Sequence, residues 1–198
     1  MIKELTWEIC KCLKDGYYMA ALTSALTIPD MCGKAEFPNL EKNKKRYVDW
    51  FDKYIGNHEK ERHGGKGMPY LSGELVYSLR CSLLHEDNPN IQVEKIENED
   101  NKITKFKILV EEKNKFGIYA SGSGITWRED KNNNFIICDR TYELHIQQFC
   151  YFVLGFCEDY FLENKENFKF DYTILDLKEE IKAINMWPNL KEEGGKVE

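Results

Sequence analysis

The hydrophobic pattern of this chain changes period twice, and those two changes constrain its fold more than any other feature. Up to Glu86 the apolar residues recur at helical spacing. Ile2, Leu5, Ile9 and Leu13 mark a helix over residues 2–14, and Tyr18, Leu22, Ala25 and Leu26 mark a second from Tyr17 to about Ile28. Tyr47, Val48, Phe51, Tyr54 and Ile55 form the apolar stripe of a third, from Asn39 to Ile55. The punctuation agrees with these spans: Asp15-Gly16 is a break, Pro29 ends or kinks the second helix, and Gly56 offers a C-terminal stop for the third. The polar, glycine-rich stretch "NHEKERHGGKGMPY" then reads as a loop that carries His58 and His63. A fourth helix runs through "LSGELVYSLRCSLLHEDNPN", with Ser72 as its N-cap and Glu74 in the first turn, and stops at Asn88-Pro89.

From Ile91 to about Asp139 the period becomes two. Phe106, Ile108 and Val110 alternate with Lys105 and Lys107, and "GITWRE" and "NFIICD" are separated by the turn signal "EDKNNN". Helical character returns at Thr141, read as an N-cap, and continues to about Asn164 through a middle that is apolar almost all round. One weak helix near Leu175 to Ile184 and a polar tail follow. The expected architecture is a single, mainly α domain over residues 1–198. Its helical bundle is built from about 2–87 and 141–186, with a small antiparallel meander inserted at about 91–139.

A 42% hydrophobic content with 13% aromatics supplies a sizeable core. The net charge of -6 argues against broad, non-specific binding of polynucleotides, whereas a compact nucleotide site needs only a few local cations. The seven cysteines form neither a C-x-x-C pair nor a ladder, so buried, reduced thiols and no metal site are expected. "GGKG" lacks the spacing of a phosphate-binding loop and has no preceding strand. The start "MIKELTWEIC" has no signal-peptide core, and the longest greasy run, "FCYFVLGFC", is far below the roughly 20 residues of a membrane span. A cytoplasmic protein without membrane attachment or cofactor is the expectation.

The fourth helix holds the candidate site. At about 100° per residue, Leu75, Val76, Leu79 and Leu83 share the core face, and Ser78 and Ser82 point away from it. Between them lies a strip of Arg80, Leu84, Tyr77, Cys81 and His85, with the arginine and histidine about 140° apart. A second copy of the chain packed on that strip would cover it and bring Arg80 of one chain towards His85 of the other. A fixed guanidinium fork suits two phosphate oxygens, and an imidazole that titrates near neutrality suits proton transfer. Alternatively, Arg80 pairs with a neighbouring acid and His85 caps the helix end. "RTYELH", Arg140 to His145, repeats the spacing. There His145 shares a helical face with Phe149, Phe152 and Phe156, as a core histidine would.

"RCSLLH" in a helical first half resembles the R-x(4–6)-H motif of the HEPN family, small helical domains that are commonly dimeric and often metal-independent ribonucleases. The resemblance covers about the first 90 residues and the helix after Thr141. It implies Arg80 and His85 as catalytic residues, with Tyr77, Cys81 and Ser82 near a bound RNA or nucleotide, and a homodimer. Where the family usually carries a polar residue after the arginine, this chain has Cys81, and the strand-rich insert is not part of the minimal family bundle. The other function open to the chain is a non-enzymatic helical interaction or regulatory module whose β insert contacts a protein partner.

Overall fold

Seven α-helices and a three-stranded sheet make up the described residues of the computed structural model, which are 2–63, 67–85, 91, 96–98, 101–111 and 121–168. In chain order they are α1 (Ile2–Asp15), α2 (Tyr18–Ala25), α3 (Ile28–Glu36), α4 (Asn43–Phe51), α5 (Asn57–His63), α6 (Gly73–His85), β1 (Lys105–Leu109), β2 (Gly122–Glu129), β3 (Phe135–His145) and α7 (Ile146–Glu163). Met1–Phe168 form one compact unit, and the helix expected near Leu175 to Ile184 lies outside the described residues. The protein is mainly α with a small mixed sheet. Among the described residues no helix is long and apolar enough to cross a membrane.

The periodicity of the sequence places α1, α2 and α6 well but misjudges two breakers. Pro29 starts α3 rather than stopping α2. In the first turn its missing N–H costs nothing, because no carbonyl there would have received it. Gly56 does not stop α4 either: a π-helical turn, Asp52–Gly56, joins α4 to α5, so the first half of the expected loop, Asn57–His63, is helix. Gly56 is there for close packing, since a β-carbon would collide with the Asp52 carboxylate. His58 stands on α5, exposed and stacked on Phe156 at 5.7 Å between ring centres.

The core lies where α2, α4, α6 and α7 meet. Trp50 and Phe51 are fully buried. Trp50 packs edge-on against Tyr160 at 5.6 Å and tilted on Tyr54 at 5.3 Å. Rings of this size dominate burial, and offset or edge contacts suit their quadrupoles. α7 is amphipathic rather than buried all round: Val153, Cys157 and Tyr160 face the core, while Tyr151, Glu158 and Leu162 are exposed.

The sheet order is β1-β3-β2, with β1 parallel and β2 antiparallel to the central strand, so the expected antiparallel meander is corrected to a mixed sheet. β3 is long enough to serve both neighbours: Thr141 to His145 pair with β1, while Phe135 to Glu143 pair with β2. The period-two alternation holds from Lys105 to Ile108, with Lys105 and Lys107 exposed and Phe106 and Ile108 half-buried, but Val110, expected on the inward side, lies past the strand and is exposed. The turn between β2 and β3 follows from "DKNNN". The Asp130 carboxylate accepts from the N–H groups of Asn132 and Asn134 at 2.7 and 2.9 Å, and Asn133 takes the left-handed conformation that asparagine tolerates. Thr141 begins no helix. The chain stays extended to His145, which caps α7 by accepting from the N–H of Gln148 at 3.3 Å.

The start of α6 is fixed from two sides. Ser72 Oγ accepts from the N–H of Leu75 at 3.3 Å, the expected cap, and Asp52 Oδ1 accepts from the N–H of Gly73 at 2.6 Å. Burial pushes the Asp52 carboxyl up to about 6, against the lowering effect of the Gly73 hydrogen bond. A carboxyl held above its unfolded value binds protons more readily in the folded chain. Its contribution is therefore fully present below the unfolded value and is lost as pH rises through 6. The stability of Asp52→Asn relative to wild type should rise by about 2 kcal/mol between pH 4 and pH 7, since each tenfold gain in proton affinity on folding is worth ~1.4 kcal/mol. Urea unfolding of both proteins across that range checks this. Parallel profiles would show that the Gly73 N–H keeps the carboxylate charged throughout.

Candidate functional site

α6 is covered on two sides. Leu75, Val76 and Leu79 are fully buried, as their spacing requires. Ser78 and Ser82 are buried too, at 8% and 1% exposure, although helical periodicity alone turns them away from the core. Hydroxyl side chains this small leave room for another part of the chain to pack over that side of the helix. Ser82 therefore lies off the open strip and is not placed to touch a ligand. What stays open is a narrow band of Tyr77, Arg80, Cys81 and Leu84, the last 39% exposed.

Arg80 is tied down within its own chain. Its Nε donates to Asp30 Oδ2 at 2.7 Å, and its guanidinium carbon sits 5.8 Å from the centre of the Tyr77 ring. Burial works against the arginine charge, but the field and hydrogen bond of Asp30 outweigh it and hold the group above its ordinary value. Burial lifts the Asp30 carboxyl above its usual range, against the lowering pull of Arg80 and Arg46. A shared, half-buried location explains both, because each charge loses water and gains its partner. Tyr77 in turn meets the fully buried Tyr47 edge-on at 5.2 Å, and the Tyr47 hydroxyl donates to the Leu26 carbonyl at 3.0 Å. Burial, then the neighbouring Cys81, raises the Tyr77 phenol. Asp30 in the first turn of α3, Tyr47 on α4 and Tyr77, Arg80 and Cys81 on α6 thus make one contiguous cluster.

His85 is the last residue of α6, five positions beyond Arg80, and its side chain lies outside what the structure describes. Of the predicted residues, Tyr77, Arg80 and Cys81 come together; Ser82 does not join them. Asp30 and Tyr47 went unpredicted. Reading Pro29 as a stop hid Asp30; reading it as a first-turn proline would have put an acid at a helix start.

The second R-x4-H pair is structural. Arg140 and His145 stand on β3, not on a helix. Arg140 donates through Nη2 to the Gly67 carbonyl at 2.6 Å and through Nη1 to the Lys102 carbonyl at 3.4 Å, pinning two loops to the sheet. His145 is 1% exposed, as a core histidine would be, with Nε2 3.6 Å from the buried Glu111 carboxylate.

All seven cysteines are free thiols, but only Cys32, Cys150 and Cys157 are buried as expected; Cys12 and Cys81 are half-buried and Cys10 and Cys138 are exposed. Burial pushes the Cys150 thiol up to about 12. Among the described residues no three His, Cys, Asp or Glu side chains cluster as a metal site would require. No family model, curated protein or solved structure matches the chain.

Proposed function

We propose that the protein is a HEPN-like, metal-independent ribonuclease or RNA-binding domain that works as a homodimer through the open strip of α6. The observation that carries this reading is the anchored, part-exposed guanidinium of Arg80 beside Tyr77, five residues before a histidine in the final turn of the same helix. A helix C-terminus favours the protonated imidazole. In the proposed reaction the substrate's 2′-oxygen attacks the adjacent phosphorus and its proton leaves to water. Arg80 stabilises the extra charge on the phosphorane oxygens, and His85 gives a proton to the departing 5′-oxygen as the P–O5′ bond breaks. The products are a 2′,3′-cyclic phosphate and a 5′-hydroxyl.

The homodimer follows from Leu84. Leu84 is 39% exposed on the strip it shares with half-buried Tyr77 and Cys81, and a second copy of α6 packed there would cover it. The test is incubation of single-stranded RNA with the protein in EDTA. Wild type should yield cyclic-phosphate ends and run as a dimer by light scattering. Leu84→Arg should be monomeric, unchanged in helicity and at least about 10-fold less active, since a 1 Å displacement of a reacting group alone can cost 10²-fold. A fully active monomer would sink the shared site.

A second reading is favoured by a different observation. Before Thr141, where β1 no longer pairs, β3 and β2 form a two-stranded ribbon in which Trp127, opposite Ile137, is 52% exposed and Phe135 is 73% exposed. Exposed aromatics of this kind suit a protein partner, as in a non-enzymatic interaction module. Absence of cleavage together with a dimer-independent partner complex would put that reading first.

A further inference from the structure

We propose that α5 and α7 carry a binding site for single-stranded RNA, in which His58 stacks on an unpaired base and Arg62 holds a neighbouring phosphate. The choice of RNA as ligand rests on the reading given above, but the residues are others and the site needs no cleavage. His58 is exposed, and one face of its ring lies on Phe156 at 5.7 Å between centres and 22° between planes. Phe152 braces Phe156 edge-on at 5.1 Å, and both phenylalanines are half-buried. The imidazole is therefore held flat on a fixed aromatic pair and turns its other face to solvent. An unpaired base extends such a stack whatever its identity, because every base has a π-face.

Arg62 stands four residues further along α5, on the same face as His58. Side chains at that spacing are neighbours, with β-carbons about 5–6 Å apart, so the guanidinium reaches past a base stacked on the histidine. The arginine side chain is 57% exposed. Among the described residues its ion contact is the 3.8 Å approach of Nη1 to Oε1 of the buried Glu59, too long for a hydrogen bond. Arg62 and Phe152 also line one small cavity with Tyr142 and Gln148, which places the cation beside the aromatic pair. That cavity holds about 20 Å³, room for a water and not for a base, so the base lies on the surface against His58. One cation and one stacking ring suit a short unpaired segment, which the net charge of -6 does not exclude as it does broad polynucleotide binding. An acidic peptide would match the arginine but bring no flat ring to the histidine.

The probe is fluorescein-labelled 2′-O-methyl decaadenylate, followed by fluorescence anisotropy in EDTA. It has no free 2′-hydroxyl, so it stays intact whether or not the protein cleaves RNA. Wild type should bind it, and His58→Ala should weaken binding about 5- to 150-fold, the range of one lost base–aromatic stack. His58→Phe keeps a flat ring on Phe156 and should bind within about threefold of wild type. Arg62→Ala should reduce the slope of log K against log salt by about 0.7, the share of one phosphate contact on a single strand. An abasic strand of equal length and charge should bind wild type no better than decaadenylate binds His58→Ala. No binding by wild type, or His58→Ala within twofold of it, overturns the proposal. So does equal binding of the abasic strand, or displacement of the probe by decaglutamate as readily as by unlabelled decaadenylate. A protein that binds through His58 and Arg62 yet leaves unmodified RNA intact keeps this site and loses only the ribonuclease reading.

Discussion

Replacing His85 by alanine is expected to reduce metal-independent RNA cleavage by about 10²- to 10⁴-fold, the range that a positioned general acid supplies. Arg80→Ala should cost about 10²- to 10³-fold, as the loss of one charge donor aimed at a developing oxyanion does. The two losses should not multiply in the double variant, since groups that act on one transition state act as a unit. The control is His145→Ala. That histidine is buried and caps α7, so its removal should cost about 2 kcal/mol of stability through a lost cap and a small cavity, with activity falling only in proportion to folded protein. Gel analysis of a labelled RNA in EDTA, at matched folded concentration, measures all four. Equal cleavage by wild type and His85→Ala would remove the ribonuclease assignment.

The largest stability effect should come from a residue with no side chain. A β-carbon built on Gly33 would lie 2.6 Å from the Arg46 carbonyl oxygen and 2.9 Å from its carbon, backbone against backbone where α3 crosses α4. Neither side can yield by turning a rotamer, so the helices must separate. Gly33→Ala should therefore destabilise by about 2–3 kcal/mol even after the helix-propensity gain of alanine, lowering the melting temperature by roughly 5–10 °C. Gly155 supplies the contrast. It is exposed on α7 with open space where a β-carbon would go, so Gly155→Ala should be neutral or stabilise by up to about 1 kcal/mol. Because Gly33 lies one turn from Asp30, Gly33→Ala should also lose more cleavage than its folded fraction explains. Thermal unfolding and the cleavage assay on both variants test this pair of expectations.

Much of the fold can be read along the chain because its causes are local. The stripes of α1, α2 and α6 follow from 3.6-residue spacing, the cap at Ser72 from one hydroxyl before a helix, and the β2–β3 turn from an Asp followed by asparagines. The alternation in β1 is equally local. Other features were not legible. Pro29 and Gly56 carry two local meanings each, a stop or a start and a cap or a close contact, and only their packing selects between them. The run from Thr141 to His145 is too short for periodicity to separate strand from helix, and pairing with β1 decides it. The order β1-β3-β2 depends on which strand reaches the middle, a choice settled by contacts between residues as distant as Lys105 and Thr141.

The candidate site divides in the same way. That Arg80 and His85 stand on one helix beside an apolar strip of Tyr77, Cys81 and Leu84 is already present in the order of residues, because helical geometry fixes relative angles along a single element. Three other facts exist only once the chain is folded: Arg80 is anchored by Asp30 from another helix, Tyr77 leans on Tyr47, and Ser82 is covered. They depend on how α3, α4 and α6 pack, and packing is set by close approach at Gly33 and Gly73 and by large buried rings, which leave no periodic mark in the sequence.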